Sequence, residues 1–372
     1  FPSHPDTHGN QVSIQSTGRH FQQLGHKVHF VLLKSAMVDD AAIGLMRDTW
    51  DTFDLLYNTR PLWADGNPIP FDHWYQEGLG EEIAALCRKY DIDLLFCSYV
   101  FQSKLLEYVP GHILKVIDTH DKMGNRYEML RSKGQPLEFF SCSPEEEGQY
   151  LRRTDVVLAR REEEANYFDE VSGRKSSIVI PHVTKQRFIE RDFTKVANVG
   201  VVASANLINL AIVSELVKTL VAREQHSPIP FTLHIAGQIR VMVKSLPVDE
   251  QRNFRRPWIR LHGFVTDIEA FYRMVDVVIS PVTMGTGINI KTIEALAHGV
   301  PLLSTRWGAK GISTTEPMHL HEDLASLCDG LFDLYRGPSR LNDLAAVSRT
   351  SFEKFHNDTV DSIDALMKKV KI

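Results

Sequence analysis

The stretch Val277–Gly311, VVISPVTMGTGINIKTIEALAHGVPLLSTRWGAKG, constrains the fold more than any other part of the chain. It reads as apolar strand, glycine loop, amphipathic helix and second apolar strand. The first strand, Val277-Val278-Ile279, is closed by Pro281, which removes an N–H and stops the ladder. Met284-Gly285-Thr286-Gly287 lets the backbone approach a ligand without side-chain obstruction. From about Ile288 a helix is expected, with Ile290, Ile293, Leu296 and Ala297 on one face, and the second strand follows Gly299-Val300-Pro301.

A glycine loop feeding a helix N-terminus is an anion site: free N–H groups and the positive end of the helix dipole meet whatever negative group arrives. Lys291 in the first turn opposes the dipole but suits a neighbouring phosphate. Glu294, three residues on, can accept hydrogen bonds from sugar hydroxyls. The same letters also fit an ordinary βαβ connection carrying a solvated Lys and Glu. Ile290 stands where a dinucleotide fingerprint needs its third glycine, which disfavours an NAD-dependent oxidoreductase.

With 372 residues, 43% apolar and 24% charged, the chain has room for two soluble domains. A formal net charge of −5 gives no reason to expect nucleic acid as partner. Cys87, Cys97, Cys142 and Cys328 are scattered without metal-ligand spacing, which points to thiols in a reducing, cytoplasmic compartment. Asp91-Ile92-Asp93 has the form some transferases use for a metal, yet it precedes an apolar strand, where Asp is commonly a solvated strand start. No metal and no cofactor are expected.

Periodicity predicts helices at Gln11–Gly25, Glu81–Tyr90, Pro144–Arg153 and Glu162–Phe168, with strands at Lys27–Leu33, within Asp51–Asn58, and at Ile92–Cys97, Ile113–Ile117, Asp155–Ala159 and Ser177–Ile180. The Glu run after Pro144 reads as a solvated helix start. Beyond Pro181 the pattern fades until about Lys195. Strand Val196–Ala203, a turn at Ser204-Ala205-Asn206, helix Leu207–Ala222, and strands Phe231–Ala236 and within Trp258–Val265 follow. Asp267 caps helix Ile268–Met274, and three terminal helices are expected at Leu320–Tyr335, Arg340–Phe355 and Asp358–Val370. Strands alternating with helices on both sides of the fade give two doubly wound α/β halves with a cleft between them, at 1–185 and 186–355, with 356–372 as a closing helix.

Gly287, Glu294-Ala295-Leu296-Ala297, Gly299 and Pro301 fall in step with a known signature, and the run resembles GT-B fold glycosyltransferases, in particular the large retaining family four. Gly263-Phe264-Val265 before a capped helix, His8-Gly9-Asn10, and Gly25-His26-Lys27-Val28 are similar to further parts of that pattern. The resemblance spans nearly the whole chain, most strongly Ile259–Gly311. It departs at Thr286, where many members carry a Glu, and after Ser204, where many carry Arg and Lys and this chain has Asn206 and Asn209.

The resemblance implies a GT-B architecture whose first N-terminal strand would precede the sequence given, and whose last helix crosses back to the N-terminal domain. It implies an enzyme moving a sugar from a nucleotide-sugar donor to a carbohydrate or glycolipid acceptor in surface polysaccharide biosynthesis, with peripheral membrane association. Backbone groups of Gly287, Ile288, Asn289 and Ile290 with Lys291 would hold the donor diphosphate, joined by Gly9, Ser204 and Asn206. Glu294 would bind the ribose, and the segment at Phe264 the base. His120 and Asp121, delivered by strand Ile113–Ile117, would meet the donor sugar, with Arg126 pairing Asp121 or capping the next helix. A donor phosphate oxygen would take the acceptor proton, so no separate base is needed. An epimerase or hydrolase of the same fold, or a non-catalytic sugar-nucleotide binding protein, are the other readings.

Overall fold

A computed structural model describes residues 2–5, 9–34, 38–59, 70–132, 134, 137, 140–284 and 288–369. The chain divides into two compact units, Phe1–Val183 with Thr359–Ile372, and Thr184–Asp358.

The first unit runs α1 (Gly9–Gln23), β1 (His29–Lys34), α2 (Asp40–Thr49), β2 (Thr52–Tyr57), α3 (Leu79–Lys89), β3 (Leu94–Ser98), β4 (Leu114–Asp118), α4 (Arg126–Ser132), α5 (Pro144–Leu151), β5 (Val156–Ala159), α6 (Glu162–Ser172) and β6 (Ser177–Val179). A 3₁₀ segment, Val100–Tyr108, links β3 to β4. Its strands pair in parallel in two groups, β1-β2 and β3-β4-β5-β6. Apolar β4 and β5, with Val116, Ile117, Val157 and Leu158 buried, form the centre. Glu147 corrects the reading of the Glu run: its side chain is wholly buried and accepts the amides of Met123 and Gly124, at 2.8 Å each. Burial pushes its carboxyl pKa up, opposed by those amides and by the Tyr167 hydroxyl at 2.8 Å. Glu145 is exposed in the first turn as that reading expects, and Ser143 with Glu146 closes a capping box.

The second unit runs β7 (Asn198–Val202), α7 (Leu207–Glu224), β8 (Thr232–Ala236), α8 (Ile239–Val243), α9 (Val248–Asn253), β9 (Ile259–Gly263), α10 (Ile268–Met274), β10 (Val277–Ser280), α11 (Ile290–Ala297), β11 (Leu302–Ser304) and α12 (Leu324–Arg336). All five strands are parallel in the order β11-β10-β7-β8-β9. Chain order reverses at β7, so the switch point lies between β7 and β10. β10 is buried along its whole length, as a central parallel strand should be.

The chain's end departs from the expected three helices. Arg340–Phe355 and Asp358–Val370 are replaced by one continuous helix, α13 (Leu341–Met367). His356-Asn357 contains neither Pro nor Gly, and polarity alone does not break a helix whose apolar face continues through Phe352, Phe355, Ile363 and Leu366. Ile363 and Leu366 pack with Phe21, Val116 and Val156 in the first unit. Helix α2 and the 3₁₀ segment were not legible in the periodicity.

Candidate functional site

In the second unit the predicted residues gather at the carboxyl ends of β7 and β10, the place where open parallel sheets bind ligands. Gly287 lies outside the described residues, as does Thr286. Asn289 is the N-cap of α11, its Oδ1 accepting the amides of Lys291 at 3.0 Å and Thr292 at 3.4 Å. That cap takes up two of the helix's leading N–H groups. Among the described residues, the amides of Ile288, Asn289 and Ile290 make no hydrogen bond. Beneath them the Thr292 and Ser280 hydroxyls lie 2.7 Å apart, and Asn289 Nδ2 donates to Ser280 Oγ at 3.3 Å, which ties α11 to the end of β10.

Lys291 and Glu294 pair with each other, Nζ lying 3.1 and 3.2 Å from the two carboxylate oxygens. The buried Tyr272 hydroxyl sits near that carboxylate without a hydrogen bond of sound geometry. Burial first, then the Glu294 charge, holds its pKa well above the ordinary value. The Tyr272 ring stacks on His298 at 4.3 Å, and His298 Nδ1 donates to the Glu294 carbonyl at 2.7 Å.

The turn after β7 is built for capping. Asn206 Oδ1 accepts the Asn209 amide at 2.7 Å, and Asn209 Nδ2 donates to Ser204 O and Oγ at 3.0 and 3.1 Å. Both asparagine side chains hold α7 in place, and Ser204 is held by them. Gly237, φ +110, follows β8 so close to this turn that a Cβ would sit 2.1 Å from the Ala203 carbonyl oxygen. Its amide donates to Gly263 O at 2.6 Å, which links the end of β8 to the Phe264 segment. Phe264 is exposed, at the carboxyl end of edge strand β9. The side chain of Arg240, missed in the sequence, lies beside Gly263 and makes no ion pair or hydrogen bond among the described residues, while its amide donates to the Gly237 carbonyl at 3.5 Å. The signal for it was a cation just after a strand–glycine turn, AGQIR.

In the first unit, Gly9 opens α1 and is exposed. Its neighbour Asn10 donates to the Tyr99 hydroxyl at 3.1 Å, and the Tyr99 ring lies 4.6 Å from that of His120. The Asn10 side chain and the His120 ring thus both meet Tyr99. Tyr99 and His120 follow β3 and β4 and both take left-handed backbone, φ +69 and +55. For non-glycine residues that costs on the order of 1–3 kcal/mol each, and it collects at functional sites. Asp121 pairs with Arg126 at 3.8 Å, one of the two roles expected of Arg126.

His120 rests on a buried ion pair that sequence reasoning did not find. Arg160 Nη2 contacts both oxygens of Asp118, at 2.5 and 2.6 Å, and donates to His120 Nδ1 at 3.2 Å. Its Nη1 donates to the carbonyls of Ile180 and Pro181. Nδ1 is thus an acceptor, which places the proton of the neutral ring on Nε2, 3.6 Å from Asp118 Oδ2. Burial lowers the His120 pKa to about 4 against the pull of Asp118, so the ring is neutral at pH 7. Arg160 is distant in sequence from His120 and carries no motif.

Asp91 and Asp93 are exposed at the turn into β3. All four cysteines are buried free thiols. No described helix is long and apolar enough to cross a membrane.

Residues 194–336 match the family Glycosyl transferases group 1. Solved structures similar in fold include Anabaena HepE in complex with UDP, with TM-score 0.70 and 14% identity over 97% of each chain. A glycosyltransferase from Rickettsia africae aligns with TM-score 0.61 and 13% identity, over 97% of this chain and 94% of that one. TarM aligns with TM-score 0.59 and 13% identity over 78% of this chain, which spans 57% of TarM. These neighbours give the fold as GT-B. No curated protein matches in sequence.

Proposed function

We propose that this GT-B glycosyltransferase, with residues 194–336 as its glycosyl transferases group 1 domain, moves a sugar from a nucleoside-diphosphate sugar to a carbohydrate or glycolipid acceptor with retention of configuration. The observation that supports it most is the junction of β10 and α11. Three amides, Ile288, Asn289 and Ile290, have no hydrogen-bond partner among the described residues at a helix start beside a lysine whose partner is a neighbouring carboxylate. A diphosphate satisfies all of them at once. The amides supply fixed dipoles to the departing anion, and Lys291 exchanges Glu294 for phosphate. Glu294, freed of the ammonium, accepts the ribose hydroxyls, and the segment after Gly263 receives the base.

Gly9 and His120 of the first unit are assigned to the donor on resemblance. A neutral imidazole fits that task, because it meets a sugar hydroxyl without opposing the positive charge that develops at the anomeric carbon. Asp121, paired with Arg126, orients the same loop. A donor phosphate oxygen takes the acceptor proton. The neighbour HepE has been solved with UDP-glucose, which makes a UDP-sugar the first donor to test. We place the reaction in surface polysaccharide or glycan assembly, in the cytoplasm at the inner membrane face.

The test is calorimetric titration of UDP, GDP, dTDP, CMP, ADP and NAD into the wild type and Lys291→Ala. One nucleoside diphosphate is expected to bind, and the variant to lose roughly tenfold to a hundredfold in affinity, the worth of a charged hydrogen bond. Binding of NAD alone would overturn the reading.

A further inference from the structure

Tyr272 lies on α10 with 0% of its surface exposed, enclosed in the core of the second unit. Its ring stacks on His298 at 4.3 Å, but among the described residues its hydroxyl has no hydrogen-bond partner. Buried polar groups are nearly always paired, and one left alone costs free energy that a phenylalanine in the same place would not. Tyrosine hydroxyls elsewhere in the protein follow the rule: Tyr99 accepts from Asn10, Tyr150 accepts the Phe71 amide, and Tyr167 donates to the buried Glu147 at 2.8 Å. The other buried hydroxyls without a partner, among the described residues, belong to serines: Ser13, Ser177, Ser214 and Ser348.

What lies beside the Tyr272 hydroxyl is the Glu294 carboxylate. Both oxygens of that carboxylate are engaged by one ammonium, Lys291 Nζ at 3.1 and 3.2 Å, which turns its edge toward the lysine. The Glu294 backbone is held separately. Its carbonyl accepts His298 Nδ1 at 2.7 Å, and His298 is the residue on which the Tyr272 ring stacks. Tyrosine ring, imidazole and the glutamate's backbone thus form one frame, within which the carboxylate is the part that can turn. Its terminal torsion is broad, so it can leave the lysine and meet the hydroxyl without moving α11.

We propose that Tyr272 is a positioning residue for the donor's ribose: when phosphate draws Lys291 away, the Tyr272 hydroxyl replaces the ammonium as donor to Glu294 and fixes that carboxylate facing the ribose. The inference rests on the reading of Glu294 as the ribose partner given above. A carboxylate whose side chain is 16% exposed needs another donor once its cation leaves, and the phenol is the one already in place. A hydroxyl–carboxylate bond is charge-assisted and keeps Glu294 ionised, hence an acceptor. A carboxylate offers about four lone-pair positions, so the tyrosine takes an inward one and leaves the outward ones to two vicinal hydroxyls. Tyr167 on Glu147 shows the same pairing already made elsewhere in the protein. The hydroxyl that lacks a partner thereby gains one as the nucleotide binds.

The experiment titrates UDP and dUDP calorimetrically into wild type, Tyr272→Phe, Glu294→Ala and the double variant, and follows the thermal unfolding of each without nucleotide. Should another base bind, its ribo- and 2′-deoxyribonucleoside diphosphates take their place. Wild type is expected to favour UDP over dUDP by roughly tenfold. Tyr272→Phe should melt no lower than wild type, because it deletes a hydroxyl without a partner. It should nevertheless bind UDP roughly tenfold more weakly and favour it over dUDP by less than about threefold. On the Glu294→Ala background the same substitution should change UDP affinity by less than about twofold. Wild-type affinity and discrimination in Tyr272→Phe, with binding weakened in Glu294→Ala, would overturn the inference and leave the reading of the site intact. A lowered melting point with equal losses for UDP and dUDP would overturn it as well, since the tyrosine would then serve the core alone. If wild type binds no nucleoside diphosphate, or Glu294→Ala leaves affinity and ribose preference untouched, the ribose reading itself fails and this inference with it.

Discussion

The neutral state of His120 has a consequence for stability as well as for chemistry. Its folded pKa of about 4 lies below the unfolded value of 6.5, so the unfolded chain takes up a proton first as pH falls. The contribution is complete above pH 6.5 and is lost as pH drops through 4, and its full size is on the order of 3 kcal/mol. His120→Gln should therefore flatten the fall in unfolding free energy between pH 7 and pH 4.5, measured by denaturant titration at several pH values. An equally steep fall in the variant would mean that the ring is not held neutral by burial. His319 in the second unit, also lowered by burial to about 4, and the histidines His29, His234, His262, His298 and His321, likewise lowered by burial, are present in both proteins and give the residual slope. The residues around His120 also mark where the sequence falls silent. His120 itself was legible, because a strand end delivering His-Asp resembles a known pattern. Arg160, Tyr99 and the buried Glu147 were not, since their partners lie 40, 89 and 24 positions away and long-range pairing leaves no local period.

At the scale of elements, the second unit was legible because each strand and helix carries its own boundary: Pro281 after β10, Asp267 before α10, and the apolar face of α11. The first unit was less so. Its longest connections run through a 3₁₀ segment and through residues outside those described, where composition gives no period. Helix α13 shows the opposite error, a boundary read into polar residues that lack a breaker. Asn289 tests how element and site are linked. Its side chain caps α11, while its own amide is one of the three without a hydrogen-bond partner among the described residues that the proposal sets against the diphosphate. Asn289→Ala should cost about 1 kcal/mol of stability, as loss of an N-cap does. It should weaken nucleoside-diphosphate affinity less than Lys291→Ala, because the backbone amide survives the substitution. Thermal unfolding and calorimetry on both variants decide it, and a larger loss of affinity in Asn289→Ala would shift the binding role from the amides to the side chain.

At the scale of the whole molecule, the two units differ in how they are built. The second has one continuous core running from Ile189 to Phe355 around a single five-stranded sheet. The first divides its apolar contacts among several smaller clusters on two groups of strands. A single large core unfolds cooperatively, whereas divided cores give up their parts at lower free energy. Calorimetry should accordingly resolve two transitions, the first unit melting below the second. The amides at the start of α11 and Lys291, which the proposal sets against the diphosphate, belong to the second unit, so the ligand acts mainly on that transition by mass action. At about a hundredfold excess over Kd the stabilisation is ~2.7 kcal/mol, which for a unit of this size raises the midpoint by roughly 5–10 °C. The lower transition should stay where it is with nucleoside diphosphate alone. If the lower transition moves instead, the nucleotide is held by the first unit, and the assignment of Lys291 and Glu294 to the donor falls with it.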